Sequence, residues 1–181
     1  MEGVVLTGGA SRRMGTDKAL LRLRGIPLGE HVASQLALVC ARVTVLGNVP
    51  IPGFEFLADT EVHEGPLGAL SRFTPRDASV FVASCDLPWF EARLASALSE
   101  RMEDADAVVP VLDGRRQPLC ALYRASTFEK LAALVAGGNR RMSDWLDPLQ
   151  VREVHDPDLD FLARGVNTPQ EWAQVLSSDS G

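Results

Sequence analysis

Several things are scarce in this chain of 181 residues, and each scarcity closes a class of function. There are only three cysteines, Cys40, Cys85 and Cys120, an odd set without metal-ligand spacing. They read as reduced thiols in a core and not as a disulfide framework. The three histidines, His31, His63 and His155, are scattered and match no zinc pattern. No apolar run approaches the ~20 residues that span a bilayer. The chain goes straight into its first strand with no basic segment followed by an apolar one, so it reads as cytoplasmic with no membrane partner. Cations are outnumbered, 18 Lys and Arg against 24 Asp and Glu, for a net charge of −6. Binding a nucleic-acid backbone needs the opposite surplus, so no nucleic-acid partner is expected.

What remains is the composition of a soluble globular protein, 46% hydrophobic and 23% charged. The length fits one domain over 1–181, with a short polar tail after about residue 176. Repeats, linkers and low-complexity segments are absent.

The organising stretch is Val4-Val5-Leu6-Thr7-Gly8-Gly9-Ala10-Ser11-Arg12-Arg13-Met14-Gly15-Thr16-Asp17-Lys18. A β-branched apolar run reads as a buried strand, and the loop after it carries glycines, hydroxyls and cations. Glycines let backbone N–H groups turn toward an anion without a Cβ in the way. Arg12, Arg13, Lys18, Arg22 and Arg24 form a local positive cluster on an acidic protein, enough for a small anionic ligand. A Walker A loop is excluded because Thr16-Asp17-Lys18 follows Gly15, where Lys-Ser/Thr is needed. The dinucleotide fingerprint is excluded because Gly8-Gly9 are adjacent. An ordinary Gly-rich connection with solvated basic residues is the plainer alternative.

Farther along, apolar residues at Val32, Leu36, Val39 and Cys40 predict a helix over 28–40, with Pro27 near its first turn. Residues 42–48 read as a second strand ending in Gly47-Asn48, and 54–57 as a third that delivers Asp59. Gly65-Pro66 starts a helix. Residues 79–85 form the most strand-like run and end in Asp86-Leu87-Pro88. An acid at the carboxyl end of a buried strand can hold a divalent cation against phosphate oxygens, or it can cap a helix beginning near Trp89. A helix over 91–102 and a strand over 107–111 follow. Asp113-Gly114 is a turn, with 117–123 returning as the arm of a hairpin-like antiparallel addition. Residues 126–135 are helical and stop at Gly137-Gly138, and 140–145 start a short helix whose Arg140 and Arg141 could face an anion. A last strand spans 151–154, and Thr168 with Glu171 forms a capping box for the final helix. The alternation predicts a three-layer α/β/α domain with a mostly parallel sheet.

The first loop resembles the Leu-x-Gly-Gly-x-Ser-x-Arg-Met-Gly-x-Asp-Lys loop of the molybdenum cofactor guanylyltransferases, a MobA-like nucleotidyltransferase family. It matches at Leu6, Gly8, Gly9, Ser11, Arg13, Met14, Gly15, Asp17 and Lys18, with Thr7 where Ala is usual. Three further stretches resemble the same family in the same order. They are Asp59 ahead of Gly65-Pro66-Leu67-Gly68, the metal motif Cys85-Asp86-Leu87-Pro88, and the run from Asp113-Gly114 to Pro118-Leu119-Cys120-Ala121-Leu122-Tyr123. Near the end the family often reads Asn-x-Asn-Thr-Pro, and this chain keeps Asn167 but has Gly165 for the earlier Asn.

The resemblance implies a Rossmann-like nucleotidyltransferase fold. It implies transfer of GMP from GTP to the phosphate of molybdopterin, with pyrophosphate released and Mg²⁺ as cofactor. Arg13, Lys18 and Asp86 would be catalytic, with Asp86 the metal ligand. Leu6, Thr7, Gly8, Gly9, Lys18, Asn48, Asp59 and Asp86 would hold the nucleotide. Gln117, Arg115, Arg116 and Asn167 are candidates for the pterin side, and proteins that supply or receive the cofactor would make transient contacts. A related enzyme using CTP or a sugar or alcohol phosphate, and a nucleotide-binding module without catalysis, are the alternatives.

Overall fold

Val4 and Val5 point to opposite faces of one strand, and that alternation builds the molecule in three layers. The computed structural model describes residues 1–8, 17–60 and 65–178. The first half of the chain contains β1 (Glu2–Leu6), a 3-10 turn at Lys18–Leu20, a two-strand ribbon of β2 (Arg22–Leu23) and β3 (Ile26–Pro27), α1 (Leu28–Ala37), β4 (Val43–Gly47), β5 (Glu55–Ala58), α2 (Gly65–Ser71) and β6 (Ser79–Ser84). The second half contains α3 (Ala92–Glu100), β7 (Ala107–Leu112), β8 (Arg115–Arg116), β9 (Cys120–Arg124), α4 (Leu131–Ala136), α5 (Met142–Leu146), β10 (Val151–Val154), α6 (Pro157–Asp160) and α7 (Pro169–Ser178).

The main sheet runs β10-β7-β9-β6-β1-β4-β5, with β8 paired to β7. Strands β5, β4, β1 and β6 are mutually parallel, as are β10 and β7, while β9 is antiparallel to both of its neighbours. On one face Val5, Val45, Phe81, Ala83, Val108 and Leu122 pack under α1 and α3 through Val32, Leu36, Leu94 and Leu98. On the other, Val4, Leu6, Val80, Val82, Val109 and Tyr123 pack under Leu67, Leu70, Leu131 and Trp145. Each such aliphatic side chain contributes about 1.5–3 kcal/mol through burial. Tyr123 and Trp145 stack at 4.3 Å between ring centroids, and their polar ends are satisfied by the carbonyls of Pro118 and Thr127.

The expected layers and mostly parallel sheet are present; several details differ. Helix α1 ends at Ala37 rather than at residue 40, because the chain must bend there to lay β4 beside β1, with Ala41 N–H bonded to the Met1 carbonyl and Gly3 N–H to that of Arg42. The returning strand after Asp113-Gly114 is also not one hairpin arm. Both turn residues have positive φ, 51° and 72°, as a tight two-residue turn requires, but the partner strand β8 is only two residues long. Residues 117–119 then cross over and insert β9 between β7 and β6. Pro110 explains the break: β9 pairs with β7 at Ala107 and Val108, and Pro110, with no N–H to donate, lies beyond those pairs. Its carbonyl accepts the Gln117 N–H instead, at 2.9 Å. At the far end α7 is helical through Ser178, past the point where a tail was expected, and the Thr168–Glu171 capping box is formed.

Candidate active site

Because β1, β4 and β6 run parallel, their carboxyl ends open onto one edge, and the chain visits β4 on one side of β1 and β6 on the other. A crevice at such a reversal is where open α/β sheets take ligands. Leu6 ends β1, and its carbonyl accepts the Cys85 N–H at 3.0 Å. Thr7 is buried, its N–H bonded to the Leu46 carbonyl at 2.8 Å and its hydroxyl to that of Val49 at 2.9 Å. Opposite them Gly47 has φ +135°, and a Cβ on it would lie 2.7 Å from the Thr7 carbonyl carbon and 2.9 Å from Gly8 Cα. Only glycine fits both that conformation and that approach. Gly8 is itself pressed by Asp59, whose Oδ2 would sit 2.7 Å from an added Cβ. Asp59 is fixed by its N–H on the Gly47 carbonyl and by Arg72, whose Nη2 donates to Oδ1 at 2.9 Å.

Across the crevice, Asp86 follows β6. Its Oδ1 accepts the Ser84 hydroxyl at 2.6 Å and its Oδ2 the Lys18 ammonium at 2.7 Å. The same ammonium reaches Asn167 Oδ1 at 2.8 Å. Lys18 is carried by the 3-10 turn that Asp17 caps, Oδ1 to the Ala19 N–H at 3.0 Å. Helix α3 starts at Ala92 with Glu91 in the cap position, so Asp86 caps no helix. It stands instead between two clefts. One is lined by Leu6, Thr7, Gly8, Asp17, Lys18 and Pro66, the other by Gln117, Pro118, Met142, Gly165 and Asn167, and Ser84, Asp86 and Leu119 belong to both.

The neighbouring thiols do no acid-base or ligand work. Burial pushes the thiols of Cys85 and Cys120 far up, and the nearby Asp86 charge adds to the effect, so neither becomes a thiolate near neutral pH. Among the described residues no group of three or more His, Cys, Asp or Glu gathers that could cage a metal. A lone carboxylate beside an anion-binding loop nevertheless suits a hard cation that keeps its waters and takes further oxygens from a phosphate. Asp86, 16% exposed and with one oxygen already oriented by Ser84, has the donor chemistry for that role.

A family model described as the MobA-like NTP transferase domain matches residues 3–154. A probable molybdenum cofactor guanylyltransferase of Synechococcus elongatus is 32% identical over 97% of both chains. One of Mycobacterium tuberculosis is 37% identical over 81% of this chain and 79% of its own. The chain belongs to the MobA-like NTP transferase family. It is a nucleotidyltransferase, and the non-catalytic binding module is not favoured. The fold agrees: molybdopterin-guanine dinucleotide biosynthesis protein A of Archaeoglobus fulgidus superposes with a TM-score of 0.82 at 23% identity, each chain 99% covered. The 2-C-methyl-D-erythritol 4-phosphate cytidylyltransferase of Thermus thermophilus follows at 0.73 and 17%, covering 98% of both chains.

In this MobA-like transferase, Leu6, Thr7, Gly8, Lys18 and Asp86 meet at one cleft, and Asp59 stands against Gly8. Gln117 and Asn167 meet at the other. Gly9 and Arg13, together with the rest of 9–16 and with His63, lie outside the described residues. The Thr7 hydroxyl donates to the Val49 carbonyl at 2.9 Å and accepts the Val49 N–H at 3.4 Å, so it is engaged within the chain. Asn48 is exposed and does not line either cleft. Arg116 pairs with Glu153 at 2.7 Å, and Arg140 closes on the Val135 carbonyl at the end of α4, so neither basic pair is gathered at Asp86. Gly165 needs no positive φ; a Cβ there would rest 3.4 Å from Asp86 Oδ1, and its lack leaves the second cleft open beside the carboxylate.

Two site residues escaped the sequence reading. Ser84 had a signal, since it lies two before Asp86 at a strand end and so on the same side. Arg72 had none, being thirteen residues beyond Asp59 on a different element.

Proposed function

We propose that the protein transfers the guanylyl unit of GTP to the phosphate of molybdopterin or its molybdenum-loaded form. The observation that carries this reading is the pair of clefts sharing Asp86, which supports a nucleotide on one side and an acceptor on the other with one carboxylate at their junction. An acceptor phosphate oxygen forms the bond to the α-phosphorus, and the bond to the β-phosphate oxygen breaks with its electron pair leaving on pyrophosphate. The acceptor is already an anion, so no side chain need act as nucleophile or base. The work is to align two anions and neutralise charge. The Gly8 amide and the Lys18 ammonium would bind the triphosphate, Asp59 would face the nucleoside, and Gln117 and Asn167 would orient the acceptor. Magnesium, held by Asp86 and phosphate oxygens, would supply Lewis-acid neutralisation of the charge that builds on pyrophosphate.

Transfer of CMP from CTP, or transfer to another phosphate, uses the same fold; the names of the relatives more than 30% identical favour guanylyl transfer. The deciding assay is pyrophosphate release with Mg²⁺ and each of the four NTPs, with and without molybdopterin. Release that requires both GTP and the pterin is expected, and release with CTP alone would overturn the base assignment. Lys18→Ala is expected to weaken GTP binding by about tenfold or more and to slow transfer, as loss of a charge-assisted contact does. Arg72→Leu touches no cleft directly but leaves Asp59 beside Gly8 without its cation. It should raise the KM for GTP severalfold with a smaller change in kcat, and steady-state kinetics at saturating acceptor would read this.

A further inference from the structure

Both oxygens of Asp86 are engaged by the chain itself. Ser84 holds Oδ1 at 2.6 Å and the Lys18 ammonium holds Oδ2 at 2.7 Å, with the cation 17% and the carboxylate 16% exposed. A divalent cation binding Asp86 through Oδ2, at the usual metal–oxygen distance of about 2.1 Å, would have its centre less than about 5 Å from that ammonium. In a half-buried site two such charges repel strongly, so lysine and metal compete for one oxygen. Lys18 has somewhere else to go. Its backbone is fixed by the Asp17 cap, but its flexible stem can redirect the ammonium, and it lines the same cleft as Gly8, where a triphosphate would lie.

We infer that Lys18 is the internal counter-ion of Asp86, and that an incoming triphosphate must draw it away before the carboxylate can take a divalent cation. This rests on the nucleotide reading of the cleft. Asn167, which lines the second cleft, accepts from the ammonium at 2.8 Å, so Lys18 in its resting position lines the first cleft and is tied to a residue of the second. Nucleotide and metal then bind with positive coupling, each strengthening the other by the same factor. The order also has a use: without nucleotide the site ignores free divalent ions.

The test is electron paramagnetic resonance titration with Mn²⁺ on the whole chain, stripped of metal, without nucleotide, at constant pH and salt. Lys18→Met should bind Mn²⁺ about tenfold or more tightly than the unmodified protein. The gain should vanish in the double variant Lys18→Met/Asp86→Asn. Lys18→Arg, which keeps the cation, should stay close to the unmodified protein. Arg22→Gln, which removes an exposed charge whose guanidinium bonds the Gly25 carbonyl, should do the same. Equal Mn²⁺ affinity in the unmodified protein and Lys18→Met would overturn the inference. So would an equal gain from Arg22→Gln, since the effect would then be the general field and not competition. A second series adds GTP: the mutual enhancement of Mn²⁺ and GTP should be larger in the unmodified protein than in Lys18→Met. Failure of GTP to bind would remove the nucleotide reading on its own, and the nucleotide-free series still judges the competition.

Discussion

Asp86→Asn is expected to leave the fold intact and to lower GTP-dependent pyrophosphate release by about a thousandfold. The substitution keeps shape and volume. The backbone bond from Val166 N–H to the residue 86 carbonyl, 3.0 Å, does not depend on the side chain. What is lost is one negative charge at the point where both clefts meet. Lys18 loses its counter-ion but keeps Asn167, so the stability change should be about 1–2 kcal/mol. Thermal melting followed by circular dichroism would check the fold, and coupled pyrophosphate detection the activity. Turnover within tenfold of the unmodified protein would move the metal ligand elsewhere.

Gly47→Ala is expected to be the most disruptive single-methyl change near the site. The added carbon would meet backbone atoms of Thr7 and Gly8, which cannot swing aside as a side chain can, and φ +135° is hostile to any L side chain. We expect a loss of about 3 kcal/mol or more in urea unfolding. The damage should reach ligand binding as well. Gly47 lies against Gly8 on one side and accepts the Asp59 N–H at 2.9 Å on the other, so relief of the clash shifts both of the groups proposed to meet the nucleotide. Urea midpoints and GTP titration, made on the same preparation, would read the two effects separately. A stability loss under 1 kcal/mol would mean that β1 and β4 tolerate more separation than their register suggests.

The inner strands of the main sheet were legible because they show the period of their environment. Val4-Val5-Leu6 and Val80-Phe81-Val82-Ala83 are apolar on consecutive residues, as strands buried on both faces must be. That Gly8, Lys18 and Asp86 come to one cleft was legible because residues at the carboxyl ends of neighbouring parallel strands share one edge. The capping box could be read because all its contacts lie within four residues. What escaped depends on contacts that sequence spacing does not encode. The place of β9 is set by pairing with β6 as well as with β7, and β6 lies on the far side of α3 in the chain. Arg72 and Asp59 meet because α2 folds back beside the end of β5. The bond from the Thr7 hydroxyl to the Val49 carbonyl, forty-two residues away, is likewise invisible in the spacing.

The insertion of β9 has a consequence for how the chain emerges from a ribosome. Strand β6 is complete at residue 84, but the partner for its outer edge begins at Cys120, and until then the hydrogen-bonding groups along 79–83 have nothing of their own to pair with. Nascent chains halted between these points would present an apolar open edge, the feature by which sheets join to other sheets. Only synthesis of the second half closes that edge.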